Sequence, residues 1–123
     1  MIKQPIQLFK LMYLALIKEW EKEKEKQLGL FLSDADPFIT GGDSADPAVF
    51  EDFAKAFQDY GSFDDYGYDF ILRYLSGVDP FYGDVKKYFA RIDKQQYIVE
   101  SAKYSSMSDE TIIDLFGLYI KEN

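Results

Sequence analysis

The side chains in this sequence that could do chemistry are carboxylates and phenols. Asp34, Asp36, Asp43 and Asp46 surround Gly41-Gly42. A loop of aspartates and backbone carbonyls is one way to supply the roughly six to eight oxygens that Ca²⁺ takes. The order is not that of an EF-hand: Pro37 and Phe38 fall where ligands belong, and no Glu closes the loop. Turn and helix-capping chemistry accounts for the same four aspartates. A second acidic run holds Asp59, Asp64, Asp65 and Asp69. Asp65 and Asp69 lie one helical turn apart, so they share a face and are placed to hold a metal or to act as an acid/base pair. No third ligand type accompanies them, and the ordinary state of such a pair is solvated.

The rest of the usual catalytic repertoire is missing. The chain has no His and no Cys. That removes triad and Cys–His nucleophiles, the common neutral-pH base, thiolate or imidazole zinc sites, and any disulfide framework. Gly41-Gly42 has no Lys-Ser/Thr after it, so it is not a phosphate loop. The expectation is a protein that is not an enzyme and carries no cofactor or metal.

The elements that must position these residues read as helices. The 123 residues suit one domain, and 11 Phe and 10 Tyr make a real core. Pro5 to about Gln27 predicts the longest helix, with Ile6, Phe9, Tyr13, Leu16, Ile17 and Trp20 on one face and Leu8, Leu11 and Ala15 on another. A helix so apolar around its circumference belongs at the centre, although it also offers a surface for a homodimer. Its Glu/Lys end, with pairs Glu21–Lys24 and Glu23–Lys26, reads as a solvated extension stopped near Gly29. Leu30 to Ala45 reads as loop, with room for a short helical turn.

Asp46-Pro47 opens a helix with Phe50, Phe53, Phe57 and Tyr60 as its apolar stripe and Gly61 at its end. Ser62 caps the next, which buries Phe70, Ile71, Tyr74 and Leu75 and stops at Gly77. Asp79-Pro80 starts another, with Phe81, Val85, Phe89 and Ile92 at helical spacing. Asp93 with Gln96 predicts a short helix from Lys94 to Tyr104, although Tyr97-Ile98-Val99 also suits a strand. Ser108 caps the last helix, with Ile112, Leu115, Phe116 and Tyr119 on one face. The expected fold is all-α: a single-domain bundle of five to six helices, with the long N-terminal helix central.

The net charge of −8 is not evenly spread. From Asp34 to Asp84, 12 acidic residues face only Lys55 and Arg73, a net of −10, while the remainder is +2. The same stretch is rich in tyrosine. The plain reading is helix capping and solubility. The sharper reading is a docking surface: clustered carboxylates repel nucleic acid and speed the approach of a basic protein, while Tyr supplies rigid contact area. On that reading the binding residues are Asp59, Asp64, Asp65, Tyr66, Tyr68, Asp69, Tyr82 and Asp84. The N-terminal apolar stretch Ile6 to Ile17 has no cleavage pattern and is shorter than the roughly 20 residues that span a bilayer. With the absence of Cys, this fits a cytoplasmic protein.

Three stretches carry a resemblance: Leu32-Ser33-Asp34-Ala35-Asp36-Pro37-Phe38, Ser44-Ala45-Asp46-Pro47-Ala48-Val49-Phe50-Glu51-Asp52-Phe53, and Val78-Asp79-Pro80-Phe81-Tyr82-Gly83-Asp84. They look like segments of small acidic bacterial proteins. In size, charge and lack of catalytic residues the chain is similar to the immunity proteins of bacterial toxin–immunity systems. The resemblance implies a binding protein that blocks a toxin, often a nuclease, and it assigns no individual binding residue. The alternatives from other classes are a divalent-metal-binding or carboxylate-based enzyme, and a structural or oligomeric module.

Overall fold

Pro5 sets the start of α1 (Pro5–Glu23) in a computed structural model that describes residues 4–39, 43–60 and 63–118. Gln4 and Gln7 close the N-terminus reciprocally, each side chain reaching the other's backbone. Leu8, Phe9, Leu11, Met12, Tyr13, Leu14 and Leu16 are all buried, so α1 is covered on most sides and the chain wraps around it as expected. It packs against α2 (Lys26–Ala35), α3 (Pro47–Tyr60), α5 (Val85–Ala90) and α6 (Lys94–Tyr104). With α4 (Tyr68–Leu75) and α7 (Asp109–Phe116), these are seven α-helices and no strand among the described residues. The fold is all-α, with one or two more helices than expected.

The extra helix comes from the Glu/Lys tract. Lys24 turns into the left-handed region at φ 53°, and its N–H donates to the Trp20 carbonyl at 2.6 Å. Glu25 then caps a new helix, its carboxylate accepting from the N–H groups of Gln27 (3.1 Å) and Leu28 (2.7 Å). The tract is therefore a break and a cap instead of an extension of α1. Glu23 pairs with Arg91 at 2.8 Å, not with Lys26. Gly29, expected as a stop, sits inside α2, where an added Cβ would lie 3.0 Å from the Trp20 indole nitrogen. The stretch expected as loop is helical to Ala35, because Leu28, Phe31, Leu32 and Ala35 fall on one face and are buried.

The local start signals act as expected at several places. Asp46 accepts from the Ala48 N–H at 3.1 Å, Asp93 from Gln96 at 3.1 Å, and Ser108 from Thr111 at 3.2 Å. Tyr97-Ile98-Val99 is helix, which settles that alternative. Three further expectations need correction. The helix expected to start from Ser62 begins only at Tyr68, with Gly67 at its N-cap position. The helix expected over Asp79 to Ile92 is a 3-10 turn, Pro80–Tyr82, then a break at Gly83, then α5 capped by Asp84. Gly83 has φ 73°, and a Cβ there would fall 2.7 Å from Gln27 Oε1, so the break is placed where glycine is the residue that fits. Leu115, expected on the buried face of α7, is exposed. Gly41-Gly42, Gly61, Ser62 and Tyr119 lie outside the described residues.

Aromatic rings fill the centre. Phe53 meets Phe9, Phe70 and Tyr74 edge-on at centroid distances of 5.0, 5.4 and 4.9 Å. Tyr68, Phe89 and Tyr97 form a second group. Burial pushes the phenols of Tyr13, Tyr74, Tyr82 and Tyr97 well above their ordinary value of 10.0. In the unfolded chain the same phenols ionise first, so the stability they contribute is complete below pH 10.0 and is lost as pH rises toward the folded values. Above that pH, tyrosinate absorbance and loss of helical circular dichroism are expected to rise together in one cooperative transition. Free titration of these phenols with the helices intact would contradict their burial.

Candidate functional site

The four aspartates of the calcium-like stretch are each engaged in holding the chain. Asp34 accepts from the Tyr82 hydroxyl at 2.6 Å, and Asp36 from the Phe38 N–H at 2.8 Å. Asp43 accepts from the Ser44 N–H at 2.7 Å, and Asp46 starts α3. The backbone crosses itself there, with the Asp46 N–H donating to the Asp34 carbonyl at 2.8 Å. Buried Ser44 donates to the Asp46 carbonyl and accepts from the Phe50 N–H at 3.0 Å. Among the described residues no three carboxylates converge in a way that would hold a metal ion.

The second acidic run is divided by a residue from far along the chain. Lys94, at the start of α6, reaches both Asp65 (3.3 Å) and Asp69 (3.2 Å). Hydrogen bonds to Asp69 and then Asp65 hold its ammonium above the ordinary lysine range. The pair that suggested metal or acid/base chemistry is therefore occupied by a cation. Asp65 and Tyr66 have φ 51° and 55°, and Gly67 follows at 71°, three consecutive left-handed residues. The Tyr97 hydroxyl donates to the Tyr66 carbonyl at 2.8 Å, and the Gly67 N–H to the Asp64 carbonyl at 2.8 Å. Those bonds pin a turn that non-glycine residues adopt only at a cost.

Of the eight residues expected to meet a partner, Tyr68 is not available. It is 8% exposed, stacks in the core and donates its hydroxyl to the Ile92 carbonyl at 2.7 Å. Tyr66 and Tyr82 are half-buried, and the Tyr82 hydroxyl is spent on Asp34. Asp84 is exposed but spends one oxygen on the Lys87 N–H at 3.2 Å. Asp59 and Asp64 are exposed, and neither takes part in an ion pair among the described residues.

What the packing brings together is a face built by α3 and α4. A cleft of about 630 Å³ lies between them, bordered by the Pro80–Tyr82 turn. Its apolar lining includes Ala56, Phe70 and Tyr74, and its charged lining is Asp52, Lys55, Asp59, Arg73 and Asp79. A smaller pocket next to it is lined by Phe63, Asp64 and Asp69. Tyr60 and Phe70 belong to both, so Tyr60, 38% exposed, stands at the middle of an acidic rim. Burial and then Asp52 raise the Tyr74 phenol; burial, the Asp34 hydrogen bond, Asp46 and Asp79 raise that of Tyr82. The field at this end of the cleft is negative. Asp52, Tyr60 and Asp79 line the cleft and are not among the eight expected binding residues. Their signal was present: Asp52, Ala56, Asp59 and Tyr60 recur at helical spacing on α3.

A smaller cavity of about 140 Å³ between α1 and α6 is lined by Lys18, Glu19, Lys22 and Glu100. Its charges are matched internally, Lys22 to Glu19 at 2.7 Å and Lys18 to Glu100 at 3.2 Å, which ties α6 to α1. Among the described residues no helix is long and apolar enough to cross a membrane. No protein-family model, curated protein or solved structure matches this chain, so the site is read from its own geometry.

Proposed function

We propose that this chain is a non-catalytic cytoplasmic binding protein that neutralises a basic protein partner, in the manner of an immunity protein acting on a toxin such as a nuclease. The observation that carries the reading is the α3–α4 face, where the carboxylates of Asp52, Asp59 and Asp64 have no ion-pair partner among the described residues and surround the exposed ring of Tyr60. Unpaired carboxylates at a surface speed the encounter with a cationic partner, and an aromatic residue at the centre gives contact area that persists once water is excluded. The same charge disfavours direct contact with nucleic acid. No turnover is required, which suits a chain without His or Cys.

The tagged chain, incubated at low salt with extract of its native host, is expected to retain a basic protein in equimolar amount. With the purified pair, the association rate should fall as salt screens the charges. The combined Asp52→Asn, Asp59→Asn, Asp64→Asn change should slow association by roughly tenfold while leaving dissociation less affected. If the partner is a nuclease, its activity should disappear at equimolar mixing. Recovery of no stoichiometric basic protein, or an association rate indifferent to salt, would overturn the reading.

A further inference from the structure

The α3–α4 cleft offers more than negative charge. Its carboxylates are spread along the helix and not gathered: Asp52 and Asp59 lie two turns apart on α3, and Asp79 faces them from beyond α4. Among the described residues no group of them would hold a metal ion, and Asp52 and Asp59 are spaced to meet separate cationic side chains about two turns apart. Between them lie Ala56, Tyr74 and Val78, apolar groups only partly covered by the core. Although α3 has 14 residues, only Val49 and Phe53 are buried. The lining from Val49 to Tyr60 runs about 16 Å along the helix axis, or about three helical turns.

The form of the occupant follows from the walls. The described residues contain no strand, so the cleft has no sheet edge to which an extended peptide could add main-chain hydrogen bonds. The backbone groups of α3 and α4 are spent within their own helices, apart from the ends. The contacts on offer come from side chains, and a helix presents apolar and basic side chains along one face with its own backbone already paired. Lys55 and Arg73 also line the cleft, and neither forms an ion pair among the described residues. They penalise a uniform polycation, so charge alone is a poor fit and apolar anchoring has to supply the difference.

We propose that the cleft seats an amphipathic basic helix of the partner, lying along α3, with apolar side chains against Ala56 and Tyr74 and Lys or Arg side chains against Asp52, Asp59 and Asp79. The proposal rests on the docking reading above and names the element of the partner that fills the site. Charge complementarity selects the basic residues, the straight lining along α3 fits about three turns of helix, and the lack of a sheet edge removes strand addition as the alternative.

The test uses the full chain and two synthetic peptides of equal charge. One has leucine and lysine at amphipathic helical spacing; in the other every leucine is replaced by serine. The leucine–lysine peptide is expected to bind at least roughly tenfold more tightly, as burial of even one large apolar side chain implies. Amide shifts on titration should concentrate in 49–60 and 70–78. Filling the cleft with Ala56→Trp should abolish the preference, with circular dichroism confirming that the helices persist. Exposed Lys55→Glu, which leaves the core untouched, should tighten binding of the leucine–lysine peptide. Equal affinity for the two peptides, shifts scattered over the acidic surface, or no response to either substitution would overturn the cleft as a helix seat. Each of those results leaves the docking reading standing, because that reading depends on the native partner and its salt dependence.

Discussion

Phe53→Ala is expected to lower the free energy of unfolding by about 3–5 kcal/mol. Phe53 is fully buried, and its ring edges meet Phe9 of α1, Phe70 and Tyr74 of α4. It is therefore the point where α3 and α4 are held to the central helix. Truncation removes the transfer energy of the ring and leaves a cavity whose aromatic walls cannot close in, so the loss should sit at the upper end of core truncations. Against a typical total stability of about 5–15 kcal/mol the change is severe. Chemical denaturation of the variant and the parent measures it directly, and a cost below about 1 kcal/mol would mean that the site collapses around the truncation and that Phe53 does not anchor the core. Because the same ring supports both walls of the cleft, the variant should also weaken binding of the proposed basic helix. Phe53→Leu, which refills part of the volume, should recover much of both.

Gly67→Ala is expected to cost about 2–4 kcal/mol, the sum of a left-handed backbone and a steric overlap. Gly67 has φ 71°, and a Cβ there would come within 2.7 Å of the Leu8 side chain, which is itself fully buried in α1. The side chain of Leu8 has nowhere to retreat in a packed core, so the turn must move instead. Gly117 provides the control. It has φ 63° at the end of α7, and a Cβ there meets nothing within 4 Å. Gly117→Ala therefore carries the backbone cost alone, about 1 kcal/mol. Thermal denaturation of the two variants separates strain from overlap, and equal losses would show that the Leu8 contact is not what requires glycine. The displaced turn carries Asp64 and Asp65, so Gly67→Ala should also disturb the acidic face.

Much of the helical architecture was legible because it rests on interactions within one turn of the chain. Asp46, Asp93 and Ser108 cap the helices they were expected to cap, since an N-cap needs only a short polar side chain and an N–H two or three residues on. The central place of α1 followed from apolar residues on too many sides for a surface helix. The break at Lys24 was not legible in the same way. Nothing local forbids helix through a Glu/Lys tract, and the break is held by Glu25 capping α2 and by Trp20 packing where Gly29 leaves room. Gly83 is similar: the helical spacing of Phe81, Val85 and Phe89 spans a turn, where the Gly83 N–H closes back on the Pro80 carbonyl and Asp84 caps a new helix.

The sequence by itself determined the helical class, the start of most helices, and the concentration of negative charge between Asp34 and Asp84. These depend on residue type and short spacing. Only the tertiary structure decided which of those charges are free. Lys94 arrives from α6 to occupy Asp65 and Asp69, Tyr82 takes Asp34, and Tyr68 turns into the core, while Asp52, Asp59 and Tyr60 are left facing outward. Pairing and burial between helices depend on how the helices pack, and that is set by the whole core and not by neighbours along the chain.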